Sequence, residues 1–486
     1  MFFAFLIQSL VYPLASNFLP KRKTLFVPAG VLLAVVVGWL TACNGLLVPG
    51  LLVATAAVVP FCIALFHLPR LGVVALVCYC FLFFILAHEI EGVPFGMAVD
   101  ALLVLTWVAV AFNHQQFAWG NIKNELCLLG VAWFVVNLLE LLNPAGASFA
   151  GWFLEFRSAS LYWLLCVPLA LLVFNTRKDL NLFLLLIIGL SVLGALNGLK
   201  QLYIGLSPGE QAYLNANVKT HLLWGQLRVF SFYSDAGQFG ASQAHIALIA
   251  LILALGPFKL WKRALLAAAA FILIVGMFIS GTRGAMFALG SGGLVALLIS
   301  KNIKVFVLGS VLAVAGFCVL KYTHIGSSNY NIYRMRTALD PSDPSLNVRF
   351  KNQERLATYL ADHPFGGGVG VIGNSGIKYN SDKLLSTIPP DSYWVKVWAM
   401  YGIVGFIIWL GIMAYILGKC CGIVWNIQDR ALRAKLIALT AGFAGSLFSS
   451  YGNEVINFMP SALVVYLSWA FVFRGPQLDF DLPLRP

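Results

Sequence analysis

Long apolar runs separated by short polar stretches dominate this chain. Runs of about 18 or more apolar residues are typical of helices that cross a bilayer. Such runs, or runs nearly as long, fall at about 24–43, 46–66, 71–89, 96–112, 125–141, 158–174, 180–199, 241–257, 264–280, 284–299, 304–320, 394–417, 436–450 and 460–474. Period-two alternation is weak, which argues against a membrane β-barrel. The pattern predicts an all-α polytopic membrane protein with about 12–14 transmembrane helices, forming one membrane domain over residues 1–486.

Composition supports this fold class. Hydrophobic residues make up 60% of the 486 residues, charged residues make up 10%, and the mean hydropathy is +0.86, which no soluble domain of this length has. The apolar stretch at residues 1–20 is followed, not preceded, by Lys21, Arg22 and Lys23. A cleaved signal peptide has the opposite order. Residues 1–20 are therefore expected to be an interfacial helix or an additional span.

The net charge of +13 is explained by topology and not by nucleic-acid binding. Basic residues collect in short loops at 21–23, 175–178, 258–263, 300–304 and 418–435. Strict alternation of the spans places all of these loops on one face, as the positive-inside rule requires. The same alternation places on the other face the segments at 142–157, 200–240, 281–283, 322–393 and 451–460.

Several arginines break the positive-inside trend. Arg157, Arg228 and Arg283 are predicted on the outer face, together with the arginines of the long loop at 322–393. Because a guanidinium group matches phosphate through two parallel hydrogen bonds, these positions favour binding of a phosphate-containing ligand.

The long loop is expected to hold functional residues, because long irregular insertions are usually functional or disordered. We expect a short amphipathic helix over residues 349–360, with Asn347 as its N-cap. The glycines after Pro364 are expected to end this helix and to permit close backbone approach. Among the charged and ionisable residues of the loop are Arg334, Arg336, Arg349, Arg355, His363 and Asp391.

Three short motifs have both a functional and a structural interpretation. Arg228 and the aromatic residues after it favour phosphate binding, or else form an interfacial anchor. The turn from Ser280 to Ala285 offers backbone N–H groups at a helix start, beside Arg283, or is only a hairpin whose arginine reaches the headgroups. Asp391 precedes a span and can act as a general base, or can serve as that helix's N-cap.

The nine cysteines lie mostly within predicted spans and none lies in the long loop, so a disulfide framework is not expected. No residue spacing suggests a metal site.

These motifs together resemble the O-antigen ligase and Wzy-type polymerase superfamily, over residues 228–405. In ligases of this family a histidine precedes Asn, Ser or Gln, then nine residues, then Gly-x-x-Gly. Here Ser392, Gly402 and Gly405 match, and Asp391 stands at the histidine position. This difference favours polymerisation of surface or exopolysaccharide repeat units over ligation to lipid A-core.

The resemblance implies a metal-independent glycosyltransferase without a cofactor, in a bacterial inner membrane with its active loops on the periplasmic side. Its donor would be an undecaprenyl-diphosphate-linked glycan, and its partners an acceptor glycan, the bilayer and other polysaccharide assembly proteins. Arg228 and Arg283 would grip the donor diphosphate, and Asp391, or else His363, would accept the proton of the attacking hydroxyl. The residues implied to shape the sugar and second phosphate sites are Arg349, Arg355, His363, Gly366, Gly368, Gly370 and Tyr233.

Other functions remain open at this point. Ligation of a finished glycan to a lipid or protein would need similar chemistry with another acceptor. A precursor transporter or flippase predicts charges deep within several spans and helix breaks at mid-membrane. A non-catalytic scaffold would leave the outer arginines unexplained.

Overall fold

The structure, a computed structural model, describes residues 35–39, 41–42, 47–90, 92–301, 303–324, 330–337 and 344–480. The expectation for residues 1–20, and that for the first half of the span at 24–43, lie outside these residues. By internal packing the chain forms two compact units, Met1–His67 and Leu68–Pro486. Every residue of the site described below belongs to the second unit.

Helices make up almost all of the regular structure. In chain order they are α1 (Leu47–His67), α2 (Arg70–Glu89), α3 (Gly96–Phe112), α4 (Glu125–Leu139), α5 (Phe149–Phe156), α6 (Tyr162–Val173), α7 (Arg177–Tyr203), α8 (Pro208–Ala216), α9 (Val218–His221), α10 (Ala236–Ala254), α11 (Leu260–Ile279), α12 (Gly284–Ile299), α13 (Ile303–Tyr322), α14 (Tyr330–Thr337), α15 (Pro344–Leu360), α16 (Gly373–Tyr379), α17 (Tyr393–Asn426), α18 (Arg430–Ser449), α19 (Ser461–Phe473) and α20 (Gly475–Phe480). One antiparallel hairpin, β1 (Leu222–Leu223) with β2 (Gln226–Leu227), pairs Leu222 with Leu227 and Leu223 with Gln226.

The prediction of an all-α polytopic membrane protein is confirmed. Within the described residues, eight helices are long and apolar enough to cross a bilayer: Arg70–Glu89, Glu125–Leu142, Phe149–Val173, Arg177–Tyr203, Ala236–Ala254, Leu260–Ile279, Tyr393–Asn426 and Arg430–Ser449. Shorter apolar helices lie at Thr55–His67, Gly96–Phe112, Gly284–Ile299, Gly309–Val319 and Ser461–Phe473. These positions follow the predicted spans closely, because periodic apolar runs are a strong signal.

The predicted polar segment at 142–157 is wrong in its extent. α5 begins at Phe149 and continues through a π-helical turn at Arg157–Leu161 into α6. Arg157 forms an ion pair with Asp100, Nη1 to Oδ2, at 3.0 Å, and Tyr162 donates to the same carboxylate at 2.7 Å. Asp100 compensates the charge of Arg157, so the helix continues through this residue. Hydropathy alone predicts that the helix would begin only after it.

The long insertion contains the predicted amphipathic helix, but its start was wrong. α15 runs over Pro344–Leu360, so Asn347 lies inside the first turn and is not the N-cap. Proline is well suited to a first helical turn, where its missing N–H group is not needed. The insertion also contains α14 and α16.

Close antiparallel packing of α12 against α18 positions the site. A Cβ added at Gly292 would lie 2.4 Å from the carbonyl oxygen of Ala441, and one at Gly445 would lie 2.5 Å from that of Ala288. Only glycine permits helix backbones to approach this closely. The start of α12 is therefore held beside the segment that follows α18, where Gly284 faces Asn453.

A break in α17 at Gly402 receives the glycine-rich segment that follows α15. Gly402 has φ 64° and ψ −167°, a conformation that is essentially restricted to glycine. The N–H groups of Gly367 and Gly368 donate to the carbonyls of Ala399 and Met400 at 2.9 and 3.0 Å, and Val404 donates to Pro364 at 3.2 Å. The segment thus replaces hydrogen bonds that the broken helix loses, and the glycines serve this packing.

Gly402→Ala is expected to destabilise the protein by about 2 kcal/mol or more. Backbone strain of this kind costs roughly 1–3 kcal/mol, and the new Cβ would meet the Pro364 carbonyl oxygen at 2.0 Å. The matched control is Gly411→Ala in the same helix, where an added Cβ has no atom within 4 Å. Thermal unfolding in detergent measures both variants, and equal midpoints would show that the break is not required.

Candidate active site

A cavity of about 820 Å³ opens where the ends of several helices meet. Its walls come from the π-helical turn between α5 and α6, the segment before α10, the start of α12, helices α14 and α15, the start of α17 and the segment after α18. The cations that line it are Arg157, Arg228, Arg283, Arg334, Arg349 and Lys396. The concentration of guanidinium groups in one concave site makes it the best candidate for a functional site.

Arg228 is anchored on the turn between α11 and α12. Its Nε donates to the carbonyl of Ser280 at 3.3 Å, and its Nη2 donates to the hydroxyl of Thr282 at 3.3 Å. Its Nη1 donates to the carbonyl of Thr220 at 2.8 Å. These acceptors are neutral, so they orient the guanidinium group without neutralising its charge.

Two further arginines meet at the same turn. Arg334, on α14, donates to the carbonyl of Gly281, and Arg283 donates to the hydroxyl of Thr337 at 3.2 Å. Gly281 has φ +59°, and a Cβ there would lie 3.0 Å from the Arg334 side chain. Glycine at this position therefore allows α14 of the insertion to lie directly on the turn.

The crowding of these charges affects Arg228. Burial, followed by the positive charge of Arg334, lowers the pKa of Arg228 to about 10, and Arg283 acts in the same direction. The negative charge of Asp235 offsets part of this effect, although one oxygen of Asp235 caps α10 by accepting from Gln238 N at 2.9 Å. A cluster of like charges of this kind is stabilised when it binds an anion.

Asp391 faces the same cavity, and its structural interpretation as an N-cap is wrong. Ser392 caps α17, because its hydroxyl accepts from Val395 N at 3.3 Å. Asp391 itself has φ +48° and is exposed to the cavity. The cavity walls nonetheless displace water, so burial raises the pKa of this carboxyl above its usual range, and the charge of Arg349 lowers it partly. A raised pKa makes the carboxylate a better base.

A second charged cluster lies in the wall beside Asp391. Lys396, in the first turns of α17, contacts Glu155 at 2.8 Å and Glu454 at 3.0 Å. Glu155 also accepts from the hydroxyl of Ser375 at 3.0 Å. The pattern of spans does not predict a role for Lys396 or Glu155. A lone lysine inside an apolar run is nonetheless a signal of function, because burying it is costly unless it is paired.

The structure brings four predicted site residues together: Arg228, Arg283, Arg349 and Asp391 all line the cavity. Arg349 also donates to the carbonyl of Gly452 at 3.2 Å, which fixes α15 to the segment after α18. Arg157 and Arg334, which the sequence predicts on the outer face as candidates for phosphate binding, line it too, as does Glu454.

Three other predicted residues lie away from the cavity wall. Arg355 is exposed on α15. The ring of His363 stacks on Tyr359 with centroids 4.2 Å apart, and its Nδ1 lies 2.9 Å from the Tyr359 carbonyl oxygen. Tyr233 is fully buried, and its hydroxyl accepts from Gln243 at 3.4 Å. Their roles in substrate binding stay predictions.

The glycines of the insertion pack against backbone. A Cβ at Gly366 would lie 2.4 Å from the nitrogen of Gly402, and one at Gly370 would lie 2.3 Å from the carbonyl oxygen of Gly151. Gly368 lies against Ala147. These contacts pack the glycine-rich segment against neighbouring backbone, and a role in sugar binding stays a prediction.

In the part of the chain that the structure describes, no group of three or more His, Cys, Asp or Glu side chains is arranged to hold a metal ion. The groups able to bind a charged ligand are the arginines.

Residues 268–410 match the Wzy_C family model, which is described as O-antigen ligase. The match covers the Arg283 turn, α14, α15 and Asp391, and it confirms the resemblance found in the sequence. No curated protein matches the chain.

Arg228→Gln is expected to weaken binding of inorganic pyrophosphate by about tenfold or more, because a hydrogen bond to a charged group contributes roughly 1.5–3 kcal/mol. Arg430→Gln is the matched control, because Arg430 is an exposed arginine at the start of α18 and does not line the cavity. Calorimetric titration of the protein in lipid nanodiscs measures both. Equal affinities in the two variants would contradict the anion site.

Proposed function

We propose that this chain, whose residues 268–410 form a domain of the O-antigen ligase family, transfers a glycan from a polyprenyl-diphosphate donor to a sugar hydroxyl at a membrane surface. The observation that carries the proposal is the meeting of Arg228, Arg283 and Arg334 at one glycine-containing turn. Asp391 lines the same cavity. A diphosphate needs several guanidinium groups, and a hydroxyl nucleophile needs a base.

The proposed reaction is a single displacement. The Asp391 carboxylate takes the proton of the acceptor hydroxyl while that oxygen forms a bond to the anomeric carbon of the donor sugar. The bond from that carbon to the diphosphate oxygen breaks, and polyprenyl diphosphate leaves with the electron pair. Arg228 and Arg283 stabilise the charge that develops on the leaving group. Inversion at the anomeric carbon is the expected stereochemical result, and the arginines supply the charge compensation without a metal ion.

The acceptor distinguishes two candidate functions. The aspartate at the position where ligases of this family have histidine favours polymerisation of undecaprenyl-diphosphate-linked repeat units for surface or exopolysaccharide. The family description itself favours ligation of a finished glycan to a lipid or protein. In either case we propose that the cavity lies on the periplasmic side of a bacterial inner membrane, because alternation of the predicted spans puts the basic loops on the opposite face.

A gel of surface glycans and lipid-linked intermediates tests the proposal. A strain lacking the gene is complemented with wild type, Arg283→Ala or Asp391→Asn, at equal membrane levels. We expect single repeat units where the wild type gives a ladder, and no rescue by either variant. Long chains left on the lipid carrier would identify a ligase. A wild-type pattern from both variants would contradict the catalytic roles of both residues.

The acidic limb of the activity profile is expected to report the Asp391 pKa. The base acts when deprotonated, so activity rises as pH increases through this pKa, which burial raises. Arg349 lowers that pKa, so Arg349→Ala should move the acidic limb to higher pH. Lys351→Ala, which removes an exposed charge from the same helix, should leave the limb in place. The pH dependence of kcat/KM in nanodiscs measures the difference, and a limb that moves to lower pH would exclude Asp391 as the base.

A further inference from the structure

The lysine-centred cluster in the cavity wall holds more negative charge than its lysine requires. One carboxylate would neutralise Lys396, whose side chain is only 4% exposed, yet both Glu155 and Glu454 contact it. Burying a charge is unfavourable unless it is paired, and burying a second carboxylate beside one ammonium group adds to that cost. Stability of the fold does not explain the second glutamate.

The two carboxylates differ in their access to the cavity. Glu155 is 7% exposed and bonds to both Lys396 and Ser375. Glu454 is 22% exposed, and its Oε2 accepts from Lys396 while the residue lines the cavity. An ionised carboxylate has about four lone-pair sites, so Glu454 keeps the capacity to accept hydrogen bonds from a molecule in the cavity.

An aromatic ring and an amide adjoin Glu454 on the same segment. Phe458 lines the cavity, is 38% exposed, and its ring centroid lies 5.9 Å from Lys396 Nζ. Asn457, which donates to the hydroxyl of Ser158 at 3.2 Å, also lines it. A carboxylate that accepts from hydroxyl groups and an apolar ring that packs against carbon-bound hydrogens are what a sugar requires.

The distribution of charge in the cavity distinguishes the side that would bind the donor from the side that would bind the acceptor. Arg228, Arg283 and Arg334 meet at the turn before α12, whereas Glu155 and Glu454 surround Lys396. The two groups adjoin, because Gly284 of the turn faces Asn453. The charge of Arg349 acts on Asp391, and the charge of Asp391 acts on Glu454.

We propose that Glu454 and Phe458, with Lys396 and Glu155 behind them, bind the terminal sugar of the acceptor glycan, and that this sugar carries no acidic group. The assignment rests on the proposed function. A diphosphate is attracted to the arginine turn, and a uronic acid placed against Glu454 and Asp391 would meet like charges. An uncharged sugar instead donates its hydroxyls to Glu454 and presents one of them to Asp391.

The test compares acceptor kinetics in nanodiscs. The probe is the repeat unit purified from the producing strain, with the primary hydroxyl of its terminal sugar either intact or oxidised to a carboxylate. Glu454→Gln should raise the KM for the intact acceptor by about tenfold to a hundredfold, as loss of one hydrogen bond to a charged group does. Phe458→Ala should also raise this KM, because the sugar loses the ring against which it packs. Affinity for polyprenyl diphosphate should not change. Phe458→Tyr should restore the KM, because it keeps the ring.

Glu454→Gln should also reduce the preference of the wild type for the intact acceptor over the oxidised one. The matched control is Glu125→Gln, since Glu125 pairs with Lys419 at 2.9 Å and does not line this cavity. Unchanged acceptor KM in an active Glu454→Gln variant, or a natural repeat unit that ends in an acidic sugar, would overturn the assignment. If the wild-type protein showed no transfer activity, the proposed function itself would be contradicted. That result is distinguishable from a failure of the acceptor-site assignment alone.

Discussion

The close contact between α12 and α18 is the constraint on which the cavity depends. Because glycines let these helices touch, the Arg283 turn at the start of α12 lies beside the segment after α18. That segment then fixes two other groups. Its carbonyls at Ser450 and Asn453 accept from the first N–H of α17 at 2.9 and 3.0 Å, which places Asp391, and its Gly452 accepts from Arg349. A larger residue in the contact would separate the arginines from the carboxylate although neither would have changed.

The cavity separates charge over a short distance in a largely apolar protein. Arg228 is anchored at the turn to neutral acceptors, whereas the lysine is surrounded by carboxylates. Interactions of this kind are stronger where water is partly excluded, and under the proposed function they would orient a donor that carries a diphosphate at one end. These groups come from loops, from the ends of apolar helices and, for Glu155 and Arg157, from within the continuous helix Phe149–Val173.

The helices and the arginines of the site could be predicted from the sequence, whereas the Lys396 cluster could not. Apolar periodicity marks spans such as Gly96–Phe112 and Gly284–Ile299 well, and arginines on the unexpected face point to Arg228 and Arg283. The Lys396 cluster was missed because its members are far apart in sequence and single charges near span ends have many ordinary uses. The contact between the glycines after Pro364 and the break at Gly402 could not be predicted, because no local pattern indicates a partner that is a break in another helix. The N-cap at Ser392 depends on one hydrogen bond that spacing does not determine.

The hydrogen bond from Arg334 to the carbonyl of Gly281 couples the packing of α14 to the binding of a ligand at the turn. It ties the inserted helix α14 to the same turn that lines the cavity. If a ligand binds the turn more tightly when α14 packs on it, the bound ligand must by reciprocity stabilise the packing of α14 by the same factor. A partner that binds α14 would then change how tightly the cavity holds its ligand, and occupancy of the cavity would change how tightly that partner binds. Binding at the two places would share one equilibrium.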